Sequence, residues 1–334
     1  LVSGCFQKGK VMKNAQAPYV VSEDIQLLLR QWFQVGHNVK LPSPEFFRKL
    51  RSEFSLFMRQ IFPAFEMVSE EELRRGLNDF VTKAGLPVVS LDRVYLKQEF
   101  HIDSSRGVDK ENNELPGMGE RRGDLGDGHT FIAHQLSLLE QSGLRDVALA
   151  DDVIFEGELI EHVIVMLAKR GITVRKVFAG VGVGRGVSRI KNMGSIEVDC
   201  VRYYPEVMDQ ICERDFYPGV PCSGRTLTTY DFGRNRVASY TGVPYLYPFG
   251  RPVEWASIPP DRAADFSRFC LRQTVILWKA IERESTKDPR SRVQSMMPTL
   301  FPLRCCEVPR RVVGLTGQSL FITELERAIG RIAD

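Results

Sequence analysis

The sequence predicts an α/β protein built on a largely parallel sheet over residues 86–230, with a helical N-terminal region over residues 1–85 and an irregular, partly helical C-terminal extension over residues 231–334. Three observations predict it. Apolar runs alternate with amphipathic stretches in the order strand–helix–strand–helix–strand–helix, the pattern of a sheet covered on both faces. The run Val147 to Ala150 is short and lacks helical periodicity, as suits a strand buried on both faces. That run ends in Asp151 and Asp152, with Gly157 and then an amphipathic helix behind them. Such strand ends are where open α/β sheets place ligand chemistry.

The N-terminal region reads as three helices. Ser22-Glu-Asp opens one that carries Ile25, Leu28, Leu29, Trp32 and Phe33. Ser43-Pro44-Glu45 opens the next, with proline in its first turn, and Phe46, Phe47, Leu50, Phe54, Phe57 and Ile61 follow at helical spacing. Ser69 and the three glutamates after it resemble a capping box, and the helix they open runs to Ala84 and stops at Gly85.

Pro87 to Leu96 reads as one strand or two short ones. Gln98 to Asp127 is a long polar loop bearing Arg106, Lys110, Arg121 and Arg122, either functional or disordered and expected to be mobile. A helix from His129 to Gln141 precedes the Asp-Asp strand. From Glu158 to Arg170 the spacing of Leu159, Val163, Met166 and Leu167 is helical. Val174 to Val183 is a strong strand, Val187 to Met193 a short helix, Ile196 to Tyr203 a strand and Pro205 to Arg214 a helix. Right-handed crossovers would place all these strand ends on one edge. Pro259-Pro260-Asp261 opens a long helix through Ile281, and Leu320 to Ile332 forms the last one.

Composition excludes several classes. A net charge of +3 over 334 residues does not indicate a nucleic-acid-coating protein. No apolar segment approaches transmembrane length, and Val11 to Ser22 is too mixed and polar for a secretory leader. The seven cysteines are dispersed without a C-x-x-C pair, which favours reduced thiols and a cytoplasmic setting. The five histidines include no H-E-x-x-H. Gly180 to Gly186 has G-x-G-x-G-x-G spacing, not the dinucleotide fingerprint, and reads better as close packing or ligand approach.

The stretch Asp146 to Glu161 resembles the ribose-phosphate binding motif of the type I phosphoribosyltransferases: a hydrophobic strand, two acids, two apolar residues and a small Gly-containing loop. The resemblance implies a phosphoribosyltransferase-type sheet and a nucleotide-like ligand or phosphoribosyl pyrophosphate, with possible transfer to a nitrogen nucleophile. Asp151 and Asp152 would hold the ribose hydroxyls with Mg²⁺ nearby, and Phe155, Glu156, Gly157, Glu158 and Leu159 would form the phosphate loop. Tyr217 or Phe216 would lie against the base. Lys97 and Arg106 are candidates for a pyrophosphate clamp, against the alternative of a solvated charged loop. Arg225, in a Ser-Gly-Arg turn, either binds phosphate or closes a surface turn.

The loop departs from the family pattern. Glu156 and Leu159 stand where hydroxyls are usual, and Glu158 adds a further negative charge. Carboxylates beside a phosphate are unfavourable unless they turn outward or a cation intervenes. The expectation is therefore weakened or absent transferase activity. The alternatives are a nucleotide-sensing module and a protein-binding scaffold of the same fold. An oligomer is compatible with the sequence; a membrane partner is not expected.

Overall fold

A computed structural model describes residues 17–33, 40–92, 94–109, 111–114, 119–120, 132–231, 236–285 and 320–332. The N-terminal region holds strand β1 (Tyr19–Ser22), helices α1 (Ile25–Phe33) and α2 (Pro44–Ile61), strand β2 (Phe65–Val68) and helix α3 (Glu70–Lys83). Ser43 and Ser69 cap α2 and α3, their hydroxyls accepting from the Phe46 and Glu72 amides. Each cap satisfies an amide that has no partner within its helix.

The chain then forms β3 (Val88–Ser90), four two-residue strands β4 (Phe100–His101), β5 (Ser104–Ser105), β6 (Gly107–Val108) and β7 (Gly119–Glu120), and helix α4 (Ile132–Gln141). There follow β8 (Asp146–Ile154), α5 (Glu158–Ala168), β9 (Thr173–Val183), α6 (Gly184–Lys191), β10 (Glu197–Tyr204) and β11 (Asp209–Cys212). A 3₁₀ turn spans Glu213–Phe216. Then come β12 (Arg225–Asp231), β13 (Arg236–Val243), α7 (Pro252–Trp255), α8 (Ala263–Ser285) and α9 (Leu320–Arg331).

The four strands expected in one parallel sheet are found there. The sheet has five strands in the order β10-β9-β8-β3-β4, all parallel. β3 is shorter than the expected strand. The Asp92 carboxylate accepts hydrogen bonds from the amides of Val94, Tyr95 and Leu96, which turns the chain out of the sheet. Within the expected long loop, β4 to β7 are described; Lys110, Arg121 and Arg122 lie outside the described residues.

A second parallel sheet, in the order β11-β1-β2, was not expected. It corrects two readings. The N-terminal region is not purely helical, and residues 209–212 form a strand where Pro205 to Arg214 was expected to be a helix. The partner that makes β11 a strand is β1, with Tyr19 opposite Asp209 and Ser22 opposite Cys212.

Helices α4, α5 and α6 cover one face of the five-stranded sheet through Leu136, Leu149, Val163, Val177 and Ile190. On the other face α3 lies against β9, where Phe80 stacks on Phe178 at 5.6 Å. That face is continuous with an apolar cluster drawn from α2, β1, the 3₁₀ turn, α8 and α9. Trp278 anchors it: the indole N–H donates to the Pro218 carbonyl at 3.0 Å, and the Phe321 ring meets it edge-on at 5.8 Å. Among the described residues no helix is long and apolar enough to cross a membrane.

Candidate functional site at the carboxyl ends of two sheets

The charged residues that follow the parallel strands converge. Asp151 and Asp152 lie near the end of β8, Asp92 just past β3, Asp24 just past β1, Glu70 just past β2, and Glu213, Arg214 and Asp215 just past β11. A 3₁₀ turn advances three residues per turn, so three neighbours point in three directions. Here each finds its own partners.

Arg214 joins the two sheets. Its Nη1 donates to Asp24 Oδ2 at 2.5 Å and its Nη2 to Asp152 Oδ2 at 3.0 Å, while its amide donates to Asp24 Oδ1 at 2.9 Å. The Cys212 thiol lies 3.5 Å from the same Asp152 oxygen and donates to it. Glu213 is fully buried and accepts from the Arg51 guanidinium at 3.0 Å and from the amides of Asp24 and Ile25. Arg51 also reaches Glu23 at 3.1 Å and Glu70 at 3.0 Å. Asp215, fully buried, accepts from Arg106 Nη2 and from the Gly224 amide, each at 2.9 Å.

The acids in this network outnumber the guanidiniums, and burial acts on them first. Desolvation, reinforced by the charges of Asp152 and Asp92, holds the Asp151 carboxyl well above the usual range; its Oδ1 accepts the Asp152 amide at 2.9 Å. Burial and the charge of Asp152 raise Asp92 to about 6. Burial raises Glu23 to about 7, against the opposing pull of Arg51, and lifts Asp24 above its ordinary value despite Arg214.

These shifts set a sign for stability. Each raised carboxyl binds its proton more tightly folded than unfolded. Its contribution is complete below the unfolded pKa of about 4 and drains away as pH climbs through the folded values. The thermal midpoint is therefore expected to fall between pH 5 and pH 8.5. A midpoint that rises over that range would show that arginine pairing, not desolvation, governs these acids.

The expected phosphate loop lies against α6. Gly157 has φ +78°, and a Cβ there would sit 2.9 Å from the Gly186 carbonyl oxygen. A Cβ on Gly186 would sit 2.4 Å from the carbonyl oxygen of Phe155. Glycine on both sides is what lets the two turns touch. Glu156 pairs with Arg185 at 2.9 Å, and Glu158 with Arg189 at 3.5 Å. The Arg185 guanidinium also covers the Phe155 ring at 4.4 Å, while Leu159 is exposed. Both glutamates are thus turned to the surface, where arginines answer their charge.

The other expected site residues are placed differently. Arg106 lies at the network through Asp215 and covers the Tyr245 ring at 5.3 Å. Arg225 is largely buried, paired with Glu114 at 2.8 Å and set over the Trp255 ring at 5.0 Å. Tyr217 is fully buried against Phe54, at 6.3 Å between centroids. Lys97 is exposed. The structure thus gathers Asp151, Asp152 and Arg106 around one buried network and puts Tyr217 in the core.

Asp24, Asp92, Cys212, Glu213 and Arg214 were not singled out in the sequence. One signal was available: Glu213-Arg214-Asp215 is a charged triplet set between Ile211-Cys212 and Phe216-Tyr217, an unusual place for three charges. Among the described residues, no group of three or more His, Cys, Asp or Glu is arranged to hold a metal ion. No protein-family model and no curated protein matches this chain.

Proposed function

We propose that this protein binds a ribose-phosphate or nucleotide ligand at the carboxyl edge of the five-stranded sheet, with little or no phosphoribosyl transfer. The observation that carries this reading is the state of the acid pair. Asp151 and Asp152 lie near the end of the central strand β8, beside the Gly157 turn and the start of α5, as the resemblance implies for a ribose site. Yet Asp152 is held by Arg214 at 3.0 Å, and Asp151 is buried and biased toward its neutral form.

That state suits binding better than transfer. A neutral carboxyl donates a hydrogen bond and a carboxylate accepts one, so together they match a pair of ribose hydroxyls. Displacing pyrophosphate from the anomeric carbon develops positive charge on the sugar, which free carboxylates would stabilise. A pair with one carboxylate already answered by a guanidinium and the other carboxyl biased toward its neutral form stabilises it less. Arg106, the clamp candidate, is held by Asp215, the neighbour of the Arg214 that holds Asp152. Mg²⁺ would rest mainly on the ligand's own oxygens, because Arg214 already answers Asp152.

Titration calorimetry with phosphoribosyl pyrophosphate and with nucleotides, with and without Mg²⁺, tests the binding. A pyrophosphate-release assay over a panel of bases tests the transfer. Binding without release is expected. Robust release with any base would restore the transferase reading, and absence of binding to every ligand would overturn the site altogether. Asp151→Asn combined with Asp152→Asn is expected to weaken binding about tenfold or more, or about 1.4 kcal/mol. An equal loss of thermal stability with affinity retained would instead make the pair structural.

A further inference from the structure

Between α2 and the start of α8 lies a surface cavity of about 540 Å³, within the range of small-molecule sites. Its walls include Phe57 from α2 and Arg262, Asp265, Arg268, Phe269 and Arg272 from the beginning of α8 and the turn before it. The cavity shares no residue with the acid pair or its network. Positions 265, 268, 269 and 272 recur at helical spacing and share one face, while Phe266, Cys270 and Leu277 bury the opposite face in the core. Phe57 and Phe269 stack with centroids 4.2 Å apart and planes 7° apart. They fix α8 against α2 and give the cavity an apolar wall.

The polar part of the wall is strongly basic: three guanidiniums face one carboxylate. Asp265 is taken by Arg268, whose Nη1 donates to it at 3.2 Å and whose Nη2 donates to the Ile332 carbonyl at 3.0 Å. No carboxylate among the described residues pairs with Arg262 or Arg272. The first turn of α8 adds the positive end of its dipole. An apolar wall beside the guanidiniums of Arg262 and Arg272 raises the local field.

Spacing narrows the ligand class. At 1.5 Å of rise per residue, Arg268 and Arg272 are anchored about 6 Å apart along α8, and Arg262 enters from the turn before it. Guanidiniums that enter one cavity from several anchors favour a ligand with several anionic oxygens. A chain of linked phosphates offers separated oxygens to successive guanidinium forks, which bind phosphate through paired N–H donors. We propose that this cavity binds a di- or triphosphate group, either free or carried on a small molecule.

The test uses the full chain at about 0.15 M salt, where loosely held anions are screened. Titration calorimetry is run with inorganic pyrophosphate, inorganic triphosphate, ATP, orthophosphate and sulfate. Pyrophosphate, triphosphate and ATP are expected to bind at least tenfold more tightly than orthophosphate or sulfate. Arg262→Gln with Arg272→Gln is expected to weaken that binding tenfold or more at an unchanged thermal midpoint, since neither arginine is buried. Equal binding of ATP and triphosphate identifies the phosphate chain as the whole determinant; tighter ATP identifies a nucleotide as its source. The Asp151→Asn, Asp152→Asn variant is expected to retain this binding, which separates the site from the one at the acid pair. Undiminished binding in the double arginine variant, or orthophosphate and sulfate matching pyrophosphate, would overturn the proposal.

Discussion

Arg214→Met is expected to destabilise the fold by about 3–5 kcal/mol, the range seen when one partner of a buried charge pair is removed. The arginine is 7% exposed, and it answers Asp24 and Asp152 from two different sheets at once. Methionine keeps much of the apolar stem and removes the charge, so packing loss contributes little. The penalty should also depend on pH. Burial already raises Asp24, and Arg214 is the charge that opposes this. Without it the folded state holds the Asp24 proton still more firmly, so stability drains faster as pH rises above about 4. Urea unfolding at pH 5.5 and pH 8 would show the larger loss at pH 8. A pH-independent loss below about 1 kcal/mol would mean that Arg214 packs but does not clamp.

Phe54→Ala is expected to cost about 3–5 kcal/mol, the usual range for deleting a buried aromatic ring. Phe54 is fully buried and its ring lies 5.8–6.5 Å from those of Phe65, Phe216, Tyr217 and Phe269. It therefore binds α2 to β2, to the 3₁₀ turn and to α8 in one contact set. Phe54→Leu should lose less than half as much, because it retains most of the apolar volume. The 3₁₀ turn carries Arg214, so the alanine variant should also exchange its amide protons faster over residues 213–217. Urea midpoints with hydrogen exchange measure both effects. Equal losses for the two variants would show that ring shape, not buried volume, is what the site requires.

Some of this arrangement is legible residue by residue. Ser43 and Ser69 report helix starts because a cap is made within one turn of chain. Val147 to Asp152 reports a buried strand with acids near its end, because burial on both faces removes the period from the sequence. Gly157 reports a turn because few other residues adopt a positive φ. In each case the information and the structure it dictates lie within a dozen residues.

The sequence by itself thus determined the starts of α2 and α3, the presence of the four parallel strands β3, β8, β9 and β10, and the place of Asp151 and Asp152 near the end of β8. Tertiary structure alone decided the rest. β1, β2 and β11 have four residues each, too few to show a period, and β11 becomes a strand only because β1, nearly two hundred residues earlier, lies beside it. The partners of Glu156 and Glu158 come from α6, and those of Asp152 from the turn after β11. The pairing of charges depends on distances across the fold, which no local pattern encodes. The same acid pair could therefore be read as open to ligand from its motif and be found clamped by Arg214 in the folded chain.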